Sequence, residues 1–143
     1  MYLLEANVVS ELRKVRTGKA HPMLAAWADS VDAADLYLSV ITLQELEIGI
    51  LLAERRDPTQ GALLRTWLTA HVMPAFKGRI LPIDTAVALR SARLHVQGQR
   101  PVRDGLIAAT ALVHGMQVVT RNVGDFEGSG VGVVNPWVGL NSV

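Results

Sequence analysis

The sequence predicts an α/β fold, a five-stranded and mainly parallel sheet with helices on both faces. Short apolar, β-branched runs of strand length recur along the chain and alternate with longer segments of helical periodicity. Polar or acidic residues stand at several junctions where a strand ends or a helix begins. Alternating strands and helices favour a parallel sheet that helices cover on both sides.

The composition fits one domain with an aliphatic core. Of the 143 residues, 50% are hydrophobic, only 5% are aromatic and none is cysteine. Disulfides, thiolate metal sites and a cysteine nucleophile are therefore excluded. The apolar runs are far shorter than the roughly 18 residues that a membrane span needs, and the first residues lack a basic signal-peptide region. We expect a cytoplasmic protein without membrane contact, with one domain over residues 1–137 and a loose tail over residues 138–143.

The N-terminal part predicts a strand, a helix, a loop and a second helix. Residues 2–4 form an apolar strand that ends on Glu5, and Asn7 is placed to cap the helix that follows. Residues 13–21 are basic and contain glycine, which is typical of a loop. Pro22 then suits the first position of an amphipathic helix.

The middle of the chain predicts two more strands. Residues 36–40 form the second strand, and T-L-Q-E after it matches a capping box from Thr42 with Glu45 at the third helical position. Another helix is expected to begin at Pro58. Residues 80–83 form the third strand, and the proline within it favours an edge position.

The last part predicts two helices and two strands. Asp84 precedes a helical run and is expected to cap it. Asp104 stands at the N-cap or in the first turn of an apolar helix that Gly115 ends. Residues 116–120 form the fourth strand, and residues 131–134 form the fifth.

Five acidic or amide residues follow strands or open helices: Glu5, Glu45, Asp104, Asn122 and Asp125. Ligands bind outside the carboxyl ends of the strands in open parallel sheets, so these side chains are candidates for one shared site. Each also has a plainer explanation as a cap or turn residue, which is weakest for Glu5 because it adjoins a buried strand. Clustered oxygen donors without Cys or His favour Mg²⁺ or Mn²⁺, the ions of metal-dependent nucleases.

Basic residues lie beside these candidates. Four of them follow the first helix within seven residues, and three more flank the acidic junctions: Arg13, Lys14, Arg16, Lys19, Arg100, Arg103 and Arg121. A net charge of +1 does not decide whether the protein binds nucleic acid. These residues either form a solvated surface or, if the acids cleave phosphodiesters, hold an RNA backbone.

Six segments in order carry a family resemblance over nearly the whole chain: YLLEANVVSEL (2–12), SVITLQELEIGI (39–50), GRILPIDTAVA (78–88), RDGLIAATALVHG (103–115), VVTRNVGDFE (118–127) and VNPW (134–137). They resemble the PIN-domain ribonuclease toxins of bacterial toxin–antitoxin pairs, the VapC type, in its FitB-like branch. The resemblance implies a Mg²⁺- or Mn²⁺-dependent endoribonuclease that cleaves structured RNA such as tRNA. It also implies a homodimer, a higher assembly with a cognate VapB-type antitoxin, and operator DNA bound through that antitoxin.

The same resemblance assigns roles to positions. The first three family acids fall on Glu5, Glu45 and Asp104, and the last polar pair falls on Asn122 and Asp125, with Glu5, Asp104 and Asp125 as the metal ligands. The family usually reads L-D-T-N where this chain reads Leu-Glu-Ala-Asn at positions 4–7, and a small residue is expected where Arg103 stands.

Two alternatives follow from the sequence. In the first, the altered acid at position 5 weakens catalysis, and the protein acts mainly as an antitoxin-binding and operator-DNA co-repressor module. A receiver domain shares the outline of the fold, but the acids and the lysine that it needs do not occur in the required order.

The apolar helices of residues 42–73 are expected to form the homodimer interface and part of the antitoxin groove.

Overall fold

The structure, a computed structural model, describes residues 1–138 and contains one five-stranded sheet. The strand order is β3-β2-β1-β4-β5, and all four pairings are parallel. The strands are β1 (Tyr2–Leu4), β2 (Leu36–Ser39), β3 (Ile80–Leu81), β4 (Gln117–Val119) and β5 (Val133–Val134). The predicted fold class is therefore confirmed. Strand β3 lies at an edge, as predicted, but it ends before Pro82, the proline on which that prediction rested.

Helices connect and cover these strands. The α-helices are α1 (Ala6–Leu12), α2 (Pro22–Ser30), α3 (Val40–Arg56), α4 (Pro58–Trp67), α5 (Met73–Ala75), α6 (Thr85–Gln97) and α7 (Val102–His114). A π-helical turn at Leu68–Val72 joins α4 to α5, and short 3₁₀ helices occupy Val15–Thr17, Ala33–Asp35 and Val123–Phe126. Of the predicted tail, residues 139–143 lie outside the described residues.

Two apolar clusters lie on opposite faces of the sheet. In β1, Leu3 belongs to one cluster and Leu4 to the other, and both are fully buried. In β4, Val118 and Val119 alternate in the same way. Because successive strand residues point to opposite faces, this alternation shows that the sheet is buried on both sides. Its polar residues are thereby confined to the strand ends.

Two predicted helix caps are wrong. Helix α1 begins one residue before Asn7, with Glu5 at the N-cap position and without a side-chain cap. Helix α3 begins at Val40 because Ser39 caps it, accepting a hydrogen bond from the Ile41 amide at 3.0 Å. The predicted capping box from Thr42 to Glu45 is therefore absent. The Thr42 hydroxyl instead donates to the Leu4 carbonyl at 3.2 Å, which joins α3 to β1.

Helices α3 and α4 form a tightly packed hairpin. A Cβ atom added to Gly61 would lie 2.5 Å from the Glu54 Cα, so only glycine allows this approach. Arg65 on α4 bonds to both Glu47 and Glu54 on α3, which pins the two helices together. The hairpin makes up most of residues 42–73, the segment that was predicted as an interface.

The apolar residues of this hairpin divide into two groups. Leu46, Ile50 and Leu68 are buried in the core of the same chain, whereas Leu51 and Leu63 are 48% and 62% exposed. Only the exposed group is available to a partner. Within residues 1–138, no helix is long and apolar enough to cross a membrane.

Candidate active site

The five predicted site residues lie together in one pocket of about 460 Å³ at the carboxyl ends of the strands. The side chains lining it are Glu5, Ala6, Asn7, Glu45, Pro101, Arg103, Asp104, Asn122 and Asp125. The strand order explains why such distant residues meet. Glu5 follows β1, the central strand, and the loop with Asn122 and Asp125 follows its neighbour β4. The helix after β2, on the other side of β1, contributes Glu45.

Glu5 is the most buried acid of the pocket. It is 7% exposed, and its Oε1 accepts a hydrogen bond of 2.7 Å from the Thr120 hydroxyl. Burial, together with the negative charges of Glu45, Asp104 and Asp125, raises the pKa of Glu5 to about 7, although the Thr120 bond favours the charged form. Glu5 therefore keeps its proton to a much higher pH than an ordinary glutamate does.

The neighbouring acids show the same excess of negative charge. Burial raises the pKa of Glu45, and the guanidinium of Arg103, 3.9 Å from it, only partly opposes this shift. The pKa of Asp104 is raised by burial and by Asp125, against the charges of Arg103 and Arg100. The positive charges of the basic residues do not return these pKa values to their usual range. A bound cation would therefore favour the ionised forms of Glu5, Glu45 and Asp104.

The donor set suits a hard divalent cation. Every acidic or amide group in the pocket offers oxygen, with no thiol or imidazole among the lining residues. In residues 1–138, however, no three carboxylate or imidazole side chains converge closely enough to hold one ion together. The predicted ligands Glu5, Asp104 and Asp125 therefore do not form a ready-made set of three. Mg²⁺ usually keeps several waters and takes one or two carboxylates, which this pocket provides.

The sequence did not identify Thr120 as a site residue. Its side chain is fully buried, and its hydroxyl contacts Glu5, the Asn122 amide at 2.9 Å and the Asn7 side chain at 3.5 Å. Asn7 also accepts a hydrogen bond from the Arg121 amide at 3.3 Å, so it links α1 to the loop after β4 rather than capping a helix. The one clue in the sequence is a polar residue at the end of an apolar strand.

The predicted RNA-binding residues occupy three places, the acidic pocket, the ring of Trp137 and the clefts around α1. Arg103 lines the acidic pocket with a 60% exposed side chain, and the guanidinium of Arg121 lies 5.3 Å above the ring of Trp137. The others, Arg13, Lys14, Arg16 and Lys19, line adjoining clefts around α1 and the loop after it. A further cleft runs from Glu45 to Arg13 and Trp67, so the acidic pocket and the clefts around α1 are continuous.

Comparisons with known proteins identify the family and the fold. The profile of the PIN domain matches residues 2–127. The sequence is similar to the toxin FitB of Neisseria gonorrhoeae, with 37% identity over 142 residues that cover 96% of this chain and 99% of that protein. It is equally similar to the VapC ribonuclease Y4jK of Sinorhizobium fredii, with 37% identity over 96% of this chain and 98% of that protein.

Among the solved structures that match nearly the whole chain are the following two. One is the crystal structure of FitAcB from Neisseria gonorrhoeae, with a TM-score of 0.87 and 37% identity over 96% of this chain and 99% of that chain. The other is the structure of FitAB bound to an IR36 DNA fragment, with a TM-score of 0.86 and 36% identity over 96% of each chain.

Proposed function

The chain belongs to the PIN-domain family, and from this premise we propose that it is the toxin of a type II toxin–antitoxin pair and a Mg²⁺- or Mn²⁺-dependent endoribonuclease. The observation that carries the proposal is the pocket in which four carboxylates from separate segments meet, with burial raising the pKa of three of them. An RNA with exposed phosphodiesters, such as a structured tRNA, is the proposed substrate. The protein would meet it in the cytoplasm.

Acidic, amide and basic residues of the pocket have separate proposed roles in RNA cleavage. Glu5, Asp104 and Asp125 would hold the cation, either directly or through its bound waters, and the cation would supply an activated water and offset charge on the phosphoryl group. Glu45 would take the proton of the attacking water, because its raised pKa brings its carboxylate closer to the operating pH. Asn122 would donate its side-chain amide to a phosphoryl oxygen, and Arg103 and Arg121 would hold the flanking phosphates.

The proposal is tested by incubating structured RNA with the purified protein and Mg²⁺ or Mn²⁺, with and without a chelator. We expect cleavage only with free metal. At limiting metal concentration the rate should rise with pH through about 7, because Glu5 of the metal-free protein must lose its proton to bind a cation. Cleavage that survives chelation would overturn the metal mechanism.

We also propose a homodimer that binds a VapB-type antitoxin and, through it, operator DNA. The support is the pair of similar structures, which contain FitA with FitB, and the exposed leucines on the hairpin of α3 and α4. We expect the wild type to be dimeric at micromolar concentration by light scattering, and to copurify with a small partner from its operon.

The leucines allow a matched test of the dimer. The double change Leu51→Glu with Leu63→Glu is expected to give a monomer, because it places charges in the proposed apolar contact. Val96→Glu on α6 alters a side chain that is 89% exposed on another helix and should leave the dimer unchanged. A wild type that is monomeric at these concentrations would refute the proposed interface.

Weak catalysis with a main role in repression is the second candidate function. It is favoured by Glu5, which is longer than the usual aspartate and has a pKa of about 7, and by Ala6, which lacks the usual hydroxyl. Both features weaken metal binding at neutral pH. The protein would then bind antitoxin and operator while cleaving RNA slowly.

A further inference from the structure

The hydroxyl of Thr120 is the point at which three parts of the pocket meet. It contacts Oε1 of Glu5 after β1, Nδ2 of Asn7 in α1, and the backbone amide of Asn122 in the loop after β4. Thr120 itself is fully buried, so its hydroxyl lies away from bulk solvent. Such a hydroxyl can donate one hydrogen bond and accept two.

The direction of each bond follows from its partners. The Asn122 amide can only donate, so it uses one lone pair of the hydroxyl. The Arg121 amide donates to Oδ1 of Asn7, which turns Nδ2 toward Thr120 as a second donor. Both lone pairs are then occupied. The single proton of the hydroxyl is left for Oε1 of Glu5, at 2.7 Å.

We propose that Thr120 is a positioning residue that commits Oε1 of Glu5 and leaves Oε2 as the oxygen offered to the pocket. This inference rests on the proposed function, in which Glu5 is a metal ligand. Among residues 1–138, Oε2 of Glu5 accepts no hydrogen bond. Ala6, the residue after Glu5, has no hydroxyl that could donate to it. Asn7 supports the arrangement by fixing the direction of the Thr120 bond.

Hydrogen-bonded partners of this kind orient metal ligands, and their loss typically costs about 10- to 100-fold in metal affinity or activity. Thr120→Val keeps the branched shape but removes the hydroxyl, so we expect Mn²⁺ to bind about 10- to 100-fold more weakly by calorimetry. Thr120→Ser keeps the hydroxyl and should bind Mn²⁺ nearly as the wild type does. Thr120→Ala serves the same comparison if the valine variant does not fold.

Thr110→Val is the matched control. Thr110 is also fully buried, but its hydroxyl donates at 2.8 Å to the Leu106 carbonyl within α7 and contacts no site residue. Thr110→Val measures how much stability the protein loses when a buried hydroxyl away from the site is removed. It should lose stability to a similar degree while Mn²⁺ affinity is retained.

A second measurement needs no metal and no substrate. In crystals of the metal-free protein, Thr120→Val should turn the Glu5 carboxylate away from its wild-type position, and Thr120→Ser should restore it. An unchanged Glu5 conformation with unchanged Mn²⁺ affinity in Thr120→Val would overturn the inference. If the wild type neither binds Mn²⁺ nor cleaves RNA, the proposed function fails, but the metal-free crystals still decide the role of Thr120.

Discussion

Asp104→Asn is expected to lower the rate of RNA cleavage by more than about 100-fold, because the loss of a direct ligand should exceed the 10- to 100-fold that outer-shell losses cost. Asp104 lies in the first turn of α7, whose N-cap is Pro101 without a side-chain cap bond. Its carboxylate therefore faces the pocket without serving the helix as a cap. The change keeps the shape of the side chain and removes its charge.

The same change should leave the stability of the fold nearly unaltered. An acid in the first turn of a helix contributes about 0.3 to 1 kcal/mol through the helix dipole. Against this, removing one negative charge relieves the repulsion that helps to raise the pKa of Glu5, Glu45 and Asp104. Denaturation of both proteins, measured beside the cleavage rate, separates a catalytic effect from unfolding.

Asp84→Asn provides the matched control. Asp84 also stands between a strand and a helix, but it caps α6 by accepting a bond of 3.0 Å from the Val87 amide and does not line the pocket. Asparagine caps about as well as aspartate, so this variant should keep both stability and activity. A cleavage rate in Asp104→Asn equal to that of Asp84→Asn would remove Asp104 from the mechanism.

Asp84 and Asp104 show what the sequence alone can and cannot predict. Each is followed by a helical run, so local pattern alone allows a cap at both. Asp84 caps α6, whereas Asp104 lies in the first turn of α7, the other position that the sequence allowed. The parallel sheet was predictable because apolar periodicity and strand length are local properties. The strand order then brings the loop after β4 beside β1, and that neighbour relation decides which acids face a pocket.

The wrong prediction for Thr42 and the failure to predict Thr120 as a site residue have the same physical cause. Thr42 has the sequence of a helix cap, yet its hydroxyl donates to a carbonyl 38 positions earlier in the chain. Thr120 and Glu5 are 115 positions apart and meet through the pairing of β1 with β4. A buried hydroxyl takes the partner that the tertiary structure supplies, so its role is not contained in the neighbouring residues.

The effect of glutamate at position 5 on metal binding depends on the length and the charge of its side chain. Glutamate has the donor atoms of aspartate but extends about one C–C bond further, roughly 1.5 Å. Mg²⁺ requires near-ideal octahedral geometry at about 2.0 to 2.1 Å, and a displacement near 1 Å in an active site can cost about 100-fold in rate. The missing hydroxyl at Ala6 removes one possible bond to a ligand. We therefore expect slow cleavage that Mn²⁺ supports better than Mg²⁺.

Glu5→Asp is accordingly expected to raise the cleavage rate by about 10- to 100-fold, with Ala6→Thr adding to the gain. The rate and the Mn²⁺ affinity of each variant are measured together, with Glu5→Gln as the control that keeps the length and removes the charge. That control should lose activity, since a neutral amide is a weaker ligand than a carboxylate. If Glu5→Asp changes neither quantity, Glu5 is not a metal ligand. If instead it lowers both, the longer side chain is the one that the Thr120 hydroxyl is placed to hold, and the first acid of this chain is adapted rather than weakened.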